Sequence, residues 1–258
     1  MKTPRRQRLD TLLVEKGLVE SREKARALIL AGQVRVDGQV VSKAGAPIAG
    51  AAHVELTTPD HPYVGRGGLK LAHALDAFAI PVSGRRALDI GASTGGFTDV
   101  LLQRGAQDVI ALDVGHNQLD WKLRSDPRVL VREGVNARNL TDRDVPHLVD
   151  IVTIDVSFIS LKHILPQVPK VLTLGADIVA LVKPQFEAGR DDVGKGGIVS
   201  DPAVHEAVIA NVAMDAQSAS LVRCGLTPSP ITGATGNQEF LMHLRQANAT
   251  AGDSGRVG

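Results

Sequence analysis

The chain has few of the features that mark several large protein classes. Its 258 residues include one cysteine, Cys224, so no internal disulfide can form and a thiolate metal site is not expected. That usage fits a reducing compartment. Aromatic residues make up only 3% of the chain, with a single tryptophan and a single tyrosine. No apolar run approaches the roughly 18 residues that a membrane helix requires, so no membrane span is expected. The opening Met1-Lys-Thr-Pro-Arg-Arg6 is basic, but an amphipathic pattern follows it and not the apolar core of a secretory leader. A cytoplasmic, monomeric protein without metal is the resulting expectation. Net charge is also nearly absent, at +1, but it is unevenly spread. Residues 1–70 carry 12 Lys/Arg against 7 Asp/Glu, whereas the remainder carries 17 against 21. A basic front and an acidic back point to a polyanion handled mainly at the N-terminal end.

Apolar residues are plentiful, at 43%, and their spacing is informative. Leu9, Leu12 and Leu13 stripe a first helix that Gly17 ends. Ser21 is placed to cap a second, with Ala25, Leu28 and Ile29 on one face and Gly32 as its stop. Val34 and Val36 then alternate with Gln33 and Arg35, and Asp37-Gly38 predicts a tight turn into Val40 and Val41. One more strand, His53–Leu56, precedes a linker at residues 61–64, where Tyr63 either packs between units or offers a stacking surface. The polar face of this unit carries Arg5, Arg6, Arg8, Arg22, Lys24, Arg26 and Arg35, which read as a solvated face or as an RNA-binding one. The run Arg8-Leu9-Asp10, Ser21-Arg22, Ala25, Ile29, Gly32, Val34, Val36, Gly38 resembles the RNA-binding domain named after ribosomal protein S-four. That resemblance implies docking on folded RNA through shape and phosphate contacts, with Arg66 beyond the linker as a further contact.

The remainder is organised around residues 87–99. Ala87, Leu88 and Ile90 predict a buried strand, Gly91, Gly95 and Gly96 a tight loop, and Phe97–Arg104 a helix. A strand that breaks at glycine and turns directly into a helix presents free backbone N–H groups to a ligand. Ala92 and Ser93 follow Gly91, so this is not the G-x-G-x-x-G loop of dinucleotide enzymes. With Asp89 before the first glycine, the stretch resembles motif I of S-adenosylmethionine-dependent methyltransferases. The resemblance implies a cofactor site built from Asp89, Gly91, Ser93, Thr94, Gly95, Gly96 and Phe97. Asp113 closes the next strand, Asp108–Asp113, at the place where a ribose diol is held. A helix with Trp121 and a strand at Val129–Val131 follow, and Glu133 and Asn136 then stand where adenine contacts are usual. Strands are predicted at Asp150–Asp155 and Asp177–Lys183, with a helix through Leu161, Ile164, Leu165 and Val168 between them. Glycine-rich residues 187–200 read as a mobile lid, residues 203–224 as a long helix that buries Cys224, and residues 227–232 and 239–244 as two last strands. The expected fold is α/β: a seven-stranded, mostly parallel, Rossmann-like class I methyltransferase sheet behind a small α+β RNA-binding domain. The expected boundaries are 7–60, a 61–64 linker, 65–245 and a disordered tail at 246–258.

Ligands of parallel sheets bind outside the carboxyl ends of the strands, where Asp89, Asp113, Asp155 and Lys183 all fall. Lys183 ends an apolar strand, and its burial is costly unless Asp155 on the adjacent strand pairs with it. Lys70 lies in the first turn of a helix that runs to about Ala79. The segments GRGGLKL, TIDVSFISL, ALVKPQFE and GNQEFLMHLR resemble the FtsJ-type ribose 2′-O-methyltransferases. That resemblance implies a catalytic tetrad of Lys70, Asp155, Lys183 and Glu239. With the N-terminal pattern added, the chain from Arg8 to Arg245 resembles the TlyA family of ribosomal RNA cytidine 2′-O-methyltransferases, which implies S-adenosylmethionine as cofactor and ribosomal RNA or ribosomal subunits as partner. The linker His61-Pro-Tyr-Val64 departs from the Arg-Ala-Trp-Val type of the mycobacterial member. Some members of this family carry haemolysin names, but a membrane-active protein needs an amphipathic membrane helix that the sequence does not show. A non-catalytic RNA-binding assembly factor is the other alternative, and an intact motif I with all four tetrad residues argues against it. Base methylation usually relies on other residues, such as a catalytic cysteine, so the ribose is preferred.

Overall fold

A computed structural model describes residues 6–57 and 61–247. The N-terminal unit begins with β1 (Arg6–Arg8), α1 (Leu9–Glu15) and α2 (Arg22–Leu30), continues through β2 (Val34–Val36), β3 (Gln39–Val40) and β4 (Pro47–Ala49), and ends with β5 (Val54–Leu56). The helix punctuation follows the sequence closely. Ser21 Oγ accepts the Lys24 N–H at 3.2 Å, and Asp37 and Gly38 both take positive φ in the turn between β2 and β3. Leu9, Leu12, Leu13, Ala25, Ile29 and Val34 form a separate small core. β1 is not foreseen by the sequence: its residues are polar, and its pairing with β4 is made by backbone alone.

The second unit runs through α3 (Gly67–Ala77), β6 (Arg86–Ile90), α4 (Gly96–Gln103), β7 (Asp108–Asp113), α5 (Trp121–Arg124), β8 (Val129–Glu133) and β9 (Val149–Ile154). It closes with β10 (Leu172–Val182), α6 (Pro184–Glu187), α7 (Pro202–Ser218), β11 (Leu221–Pro228) and β12 (Phe240–Gln246). One seven-stranded sheet, ordered β11-β12-β10-β9-β6-β7-β8, carries the unit, and β12 alone runs antiparallel to its neighbours. The strand order reverses between β6 and β9, which opens a crevice at their carboxyl ends. Two cores flank the sheet: Leu71, Leu75 and Leu101 lie on the face covered by α3 and α4, and Val208, Val212 and Leu165 on the other.

Four expectations change. The helix foreseen around 161–168 is two 3₁₀ segments, Leu161–His163 and Leu165–Val171, because Pro166 and Pro169 cannot donate helical hydrogen bonds. The long helix stops at Ser218, where Ser220 turns left-handed (φ 58°) and the chain enters β11. Cys224 is therefore exposed on the outermost strand of the sheet and is not a core residue. The last two strands are correspondingly longer than foreseen, and Gln246 is the end of β12, paired with Leu221, and not the start of a tail. Within residues 187–200, buried Asn237 accepts the Val199 N–H at 2.9 Å and donates to the Gly197 carbonyl at 2.8 Å, which ties the end of the segment to the loop before β12. Arg5 and residues 248–258 of the expected tail lie outside the described residues.

Candidate active site

The crevice at the strand ends holds a cavity of about 580 Å³. Gly91 forms its floor in a left-handed conformation (φ 87°), and a Cβ there would collide with the carbonyl oxygen of Asp155. Asp113 Oδ2 accepts the Ser93 N–H at 2.8 Å and its Oδ1 accepts the Gly115 N–H at 2.7 Å, so the carboxylate also shapes the loop it faces. Gly91, Ser93, Asp113, Asn136 and Asp155 line the cavity, with Leu112, Val135 and Ile159 as apolar walls. A carboxylate at the ribose position, a glycine cradle and apolar walls suit an adenosine-type cofactor.

The other motif residues hold this wall from behind. Asp89 is fully buried and outside the cavity, and it accepts hydrogen bonds from Thr98 Oγ1 at 2.7 Å and Thr153 Oγ1 at 2.9 Å. Burial pushes its carboxyl up to about 6. Gly95 and Gly96 do not line the cavity: Gly95 (φ 97°) packs against Leu119 and Leu123, and Gly96 admits the backbone of Gly68. Phe97 is core. Thr94 turns toward a second cavity, between the two units, shared with His61, Tyr63 and Asp99. Glu133 is held away from the main cavity by Arg124 and by the Asn117 N–H. The motif residues thus divide into cavity residues and supports, a division that only side-chain direction reveals.

The tetrad residues assemble as two ion pairs. Lys70, from the first turns of α3, places Nζ 2.5 Å from Glu239 Oε2. Lys183 places Nζ 2.6 Å from Asp155 Oδ1. The chain positions Lys183 by simple means: Pro184 keeps the preceding residue extended and ends β10 there. Lys70, Lys183 and Glu239 are all buried, so each charge depends on its partner. Gly233 lies so close to the Glu239 carboxylate that a Cβ would overlap it.

Three residues at this site escaped the sequence reading. Ser157 accepts a hydrogen bond from Lys183 Nζ at 2.9 Å and lines the cavity. Phe158 stands 89% exposed on the cavity rim with φ 64°, a conformation unusual for an aromatic residue. Leu30, at the end of α2, contributes an apolar wall from the N-terminal unit. Scarcity of aromatics made Phe158 the one detectable signal.

The N-terminal arginines are arranged more tightly than a solvated face requires. Arg8 reaches Asp10 at 2.9 Å, Arg22 at 3.1 Å and Arg26 at 3.2 Å, and Asp10 is fully buried. Arg8, followed by Arg22 and Arg26, holds the Asp10 carboxyl well below the usual carboxylate range despite its burial. The guanidinium groups remain about half exposed, so one buried acid fixes a fan of three cations. Arg35 donates to the Gly38 carbonyl at 3.0 Å and braces the β2–β3 turn. Arg6 is exposed on β1, Lys24 borders the cavity between the units, and the Arg66 side chain lies on Gly32.

Comparison with known proteins agrees with this anatomy. The S4 domain family matches residues 7–52, and the FtsJ-like methyltransferase family matches residues 63–246. The 16S/23S rRNA (cytidine-2′-O)-methyltransferase TlyA of Mycobacterium tuberculosis is 48% identical over 242 residues, covering 93% of this chain and 90% of that one. Hemolysin A of Brachyspira hyodysenteriae is 43% identical over 241 residues, covering 92% of this chain and 99% of that one. A solved Streptococcus thermophilus protein with a provisional hemolysin title shares 45% identity and a TM-score of 0.74, covering 95% of this chain and 90% of that one. With the sheet order, the glycine cradle and the paired lysines already in place, the chain belongs to the FtsJ-like methyltransferase family and carries an S4 domain ahead of its catalytic unit.

Proposed function

We propose that this protein methylates the ribose 2′-hydroxyl of a cytidine in ribosomal RNA, with S-adenosylmethionine as methyl donor. The observation that carries this reading is the Lys183–Asp155 pair, set at the edge of a cavity suited to that cofactor. Gly91 and Ser93 would cradle the amino-acid end of the cofactor, Asp113 its ribose, and Asn136 with the apolar walls its adenine. Bound there, the cofactor supplies a methyl group on a sulfonium, an electrophile that needs no further activation.

The chain has two remaining tasks: to align the hydroxyl oxygen with that methyl and to ease loss of its proton. Lys183 lies beside the cavity and takes the proton. Asp155 orients Lys183 and compensates the charge that it gains. Lys70 is engaged by Glu239 and acts as a fixed cation that holds the ribose and its phosphate in register. Phe158, exposed on the rim, offers a stacking face to the target base. The fan of Arg8, Arg22 and Arg26, together with Arg6, neutralises RNA phosphates and brings the ribose to the site.

Cytidine and ribosomal RNA are the target of the Mycobacterium tuberculosis relative, a 16S/23S rRNA (cytidine-2′-O)-methyltransferase, and its 48% identity supports the same target here. A ribosomal RNA substrate supports a cytoplasmic site of action. The relatives with hemolysin names support a second reading less well, since no helix among the described residues is long and apolar enough to cross a membrane. The test is to map 2′-O-methyl positions on purified ribosomal subunits incubated with the protein and S-adenosylmethionine. New methylation confined to cytidine ribose is expected. Methylation of bases, or of no ribosomal RNA, would overturn the reading.

A further inference from the structure

We propose that Ser157 is a positioning residue that fixes which side of the Lys183 nitrogen faces the target hydroxyl, an inference that rests on the methyl-transfer reading above. A lysine side chain ends in a nitrogen with four directions. One is its own Cε. Ser157 Oγ at 2.9 Å takes the second as a hydrogen-bond acceptor. Asp155 Oδ1 lies 2.6 Å away and pairs with the nitrogen by charge, but it is not aligned to accept one of its hydrogens. Among the described residues Ser157 is therefore the acceptor that fixes rotation of the nitrogen about its bond to Cε.

The count of hydrogens gives that geometry its meaning. A neutral amine has two hydrogens and one lone pair. Ser157 accepts one hydrogen, and the Asp155 charge, 2.6 Å from the nitrogen, draws the other hydrogen to its side and repels the lone pair. Without Ser157 the nitrogen would rotate about its bond to Cε and the lone pair would have no fixed direction. Ser157 therefore holds the lone pair on the side away from Asp155. The target hydroxyl gives its proton to that lone pair, while an electron pair on its oxygen forms the new bond to the methyl carbon. The carbon–sulfur bond breaks with its pair going to sulfur, and the ammonium left on Lys183 later yields its proton to water.

Ser157 is held for this purpose by more than its own bond. Residues 155–161 and 183–187 follow neighbouring strands and, besides the Lys183–Asp155 ion pair, are joined at three places. Lys183 and Ser157 form the first. Phe158 and Phe186 pack with ring centroids 5.0 Å apart and form the second. Glu187 forms the third, accepting from Ser160 Oγ at 2.6 Å and from the Leu161 N–H at 2.8 Å. Burial raises the Glu187 carboxyl above its ordinary value, so those two donors are what satisfy it. The left-handed turn at Phe158 gains from the same bracing (φ 64°).

The test compares full-length wild type, Ser157→Ala, Ser157→Thr and Lys183→Ala. Steady-state methyl transfer to ribosomal subunits is measured, with calorimetric titration of S-adenosylhomocysteine in parallel. In Ser157→Ala, kcat falls roughly 10- to 100-fold while KM for subunits and affinity for S-adenosylhomocysteine are unchanged. Threonine, which keeps the hydroxyl, restores most of kcat. The intact S-adenosylhomocysteine titration shows that the alanine variant is folded. A wild-type kcat in Ser157→Ala, with Lys183→Ala inactive, overturns this inference alone. A loss confined to KM or to S-adenosylhomocysteine affinity also overturns it, because Ser157 would then be a binding residue. Wild type that methylates no ribosomal RNA overturns the reading beneath it.

Discussion

Lys70 Nζ and Glu239 Oε2 stand 2.5 Å apart although 169 residues separate them in sequence. α3 delivers the lysine from one face of the sheet, and the loop before β12 delivers the carboxylate from the antiparallel strand. The second pair, Lys183 and Asp155, comes from two parallel neighbours. Both lysine side chains are about nine-tenths buried, but the Glu239 side chain is 3% exposed and that of Asp155 22%. The sealed pair is suited to holding a position, and the open one to meeting a substrate.

The arginine fan changes how RNA docking should be probed. Arg22→Glu sets a carboxylate beside buried Asp10, so it unsettles the fold as well as the surface. Arg6→Glu, on exposed β1, changes charge alone. The expected result is weaker binding to ribosomal subunits for both variants, with a shallower salt dependence, and a lowered melting temperature for Arg22→Glu only. Asp10→Asn should cost on the order of 1–3 kcal/mol by leaving the fan without its buried acceptor. The folded carboxyl of Asp10 is depressed, so its contribution is present at neutral pH and is lost as pH falls below the ordinary carboxylate range.

Asp89 carries the opposite sign. Its carboxyl is raised to about 6 by burial, so it favours the fold below its unfolded value near 4, and that advantage is lost as pH rises through 6. Asp89→Asn keeps a polar partner for Thr98 and Thr153 without the charge. Urea unfolding at pH 4 and at pH 7 should show the variant gaining roughly 2–3 kcal/mol on wild type between the two. An equal difference at both pH values would show that Asp89 is not titrating in this range.

Leu30 makes the N-terminal unit part of the cofactor cavity, a role that composition and charge do not suggest. Leu30→Ala in the full chain should weaken S-adenosylhomocysteine binding roughly three- to fivefold through lost apolar contact. Calorimetry measures it. Unchanged affinity would mean that the cofactor does not reach the wall shared by the two units.

The sheet was legible because polar residues end apolar strands: Asp113, Asp155 and Lys183 each mark a carboxyl end. The two N-terminal helices were legible because Ser21, Gly17 and Gly32 punctuate a clear stripe. What escaped has physical causes. β1 is three polar residues whose strand character comes from its partner β4. The end of α7 has no glycine or proline, and Ser220 supplies the left-handed turn instead. Asp89 is level with Ala111 in the sheet, two residues short of Asp113, so it stays buried beneath the glycine loop while Asp113, at the very end of its strand, lines the cavity. Ser157 and Glu187 matter through partners 26 and 27 residues away, and no local pattern carries such contacts.

The central claim is that the Lys183–Asp155 pair performs the chemistry and does not merely stabilise the fold. Lys183→Ala leaves Asp155 without its cation, but that side chain is 22% exposed, so water can solvate it and the fold survives. The measurement is single-turnover tritium transfer from S-adenosylmethionine to ribosomal subunits, with S-adenosylhomocysteine titration of the same preparation. Loss of at least about 100-fold in rate with cofactor affinity retained is the expected result. Transfer at the wild-type rate, or a variant that no longer folds, would show the pair to be structural.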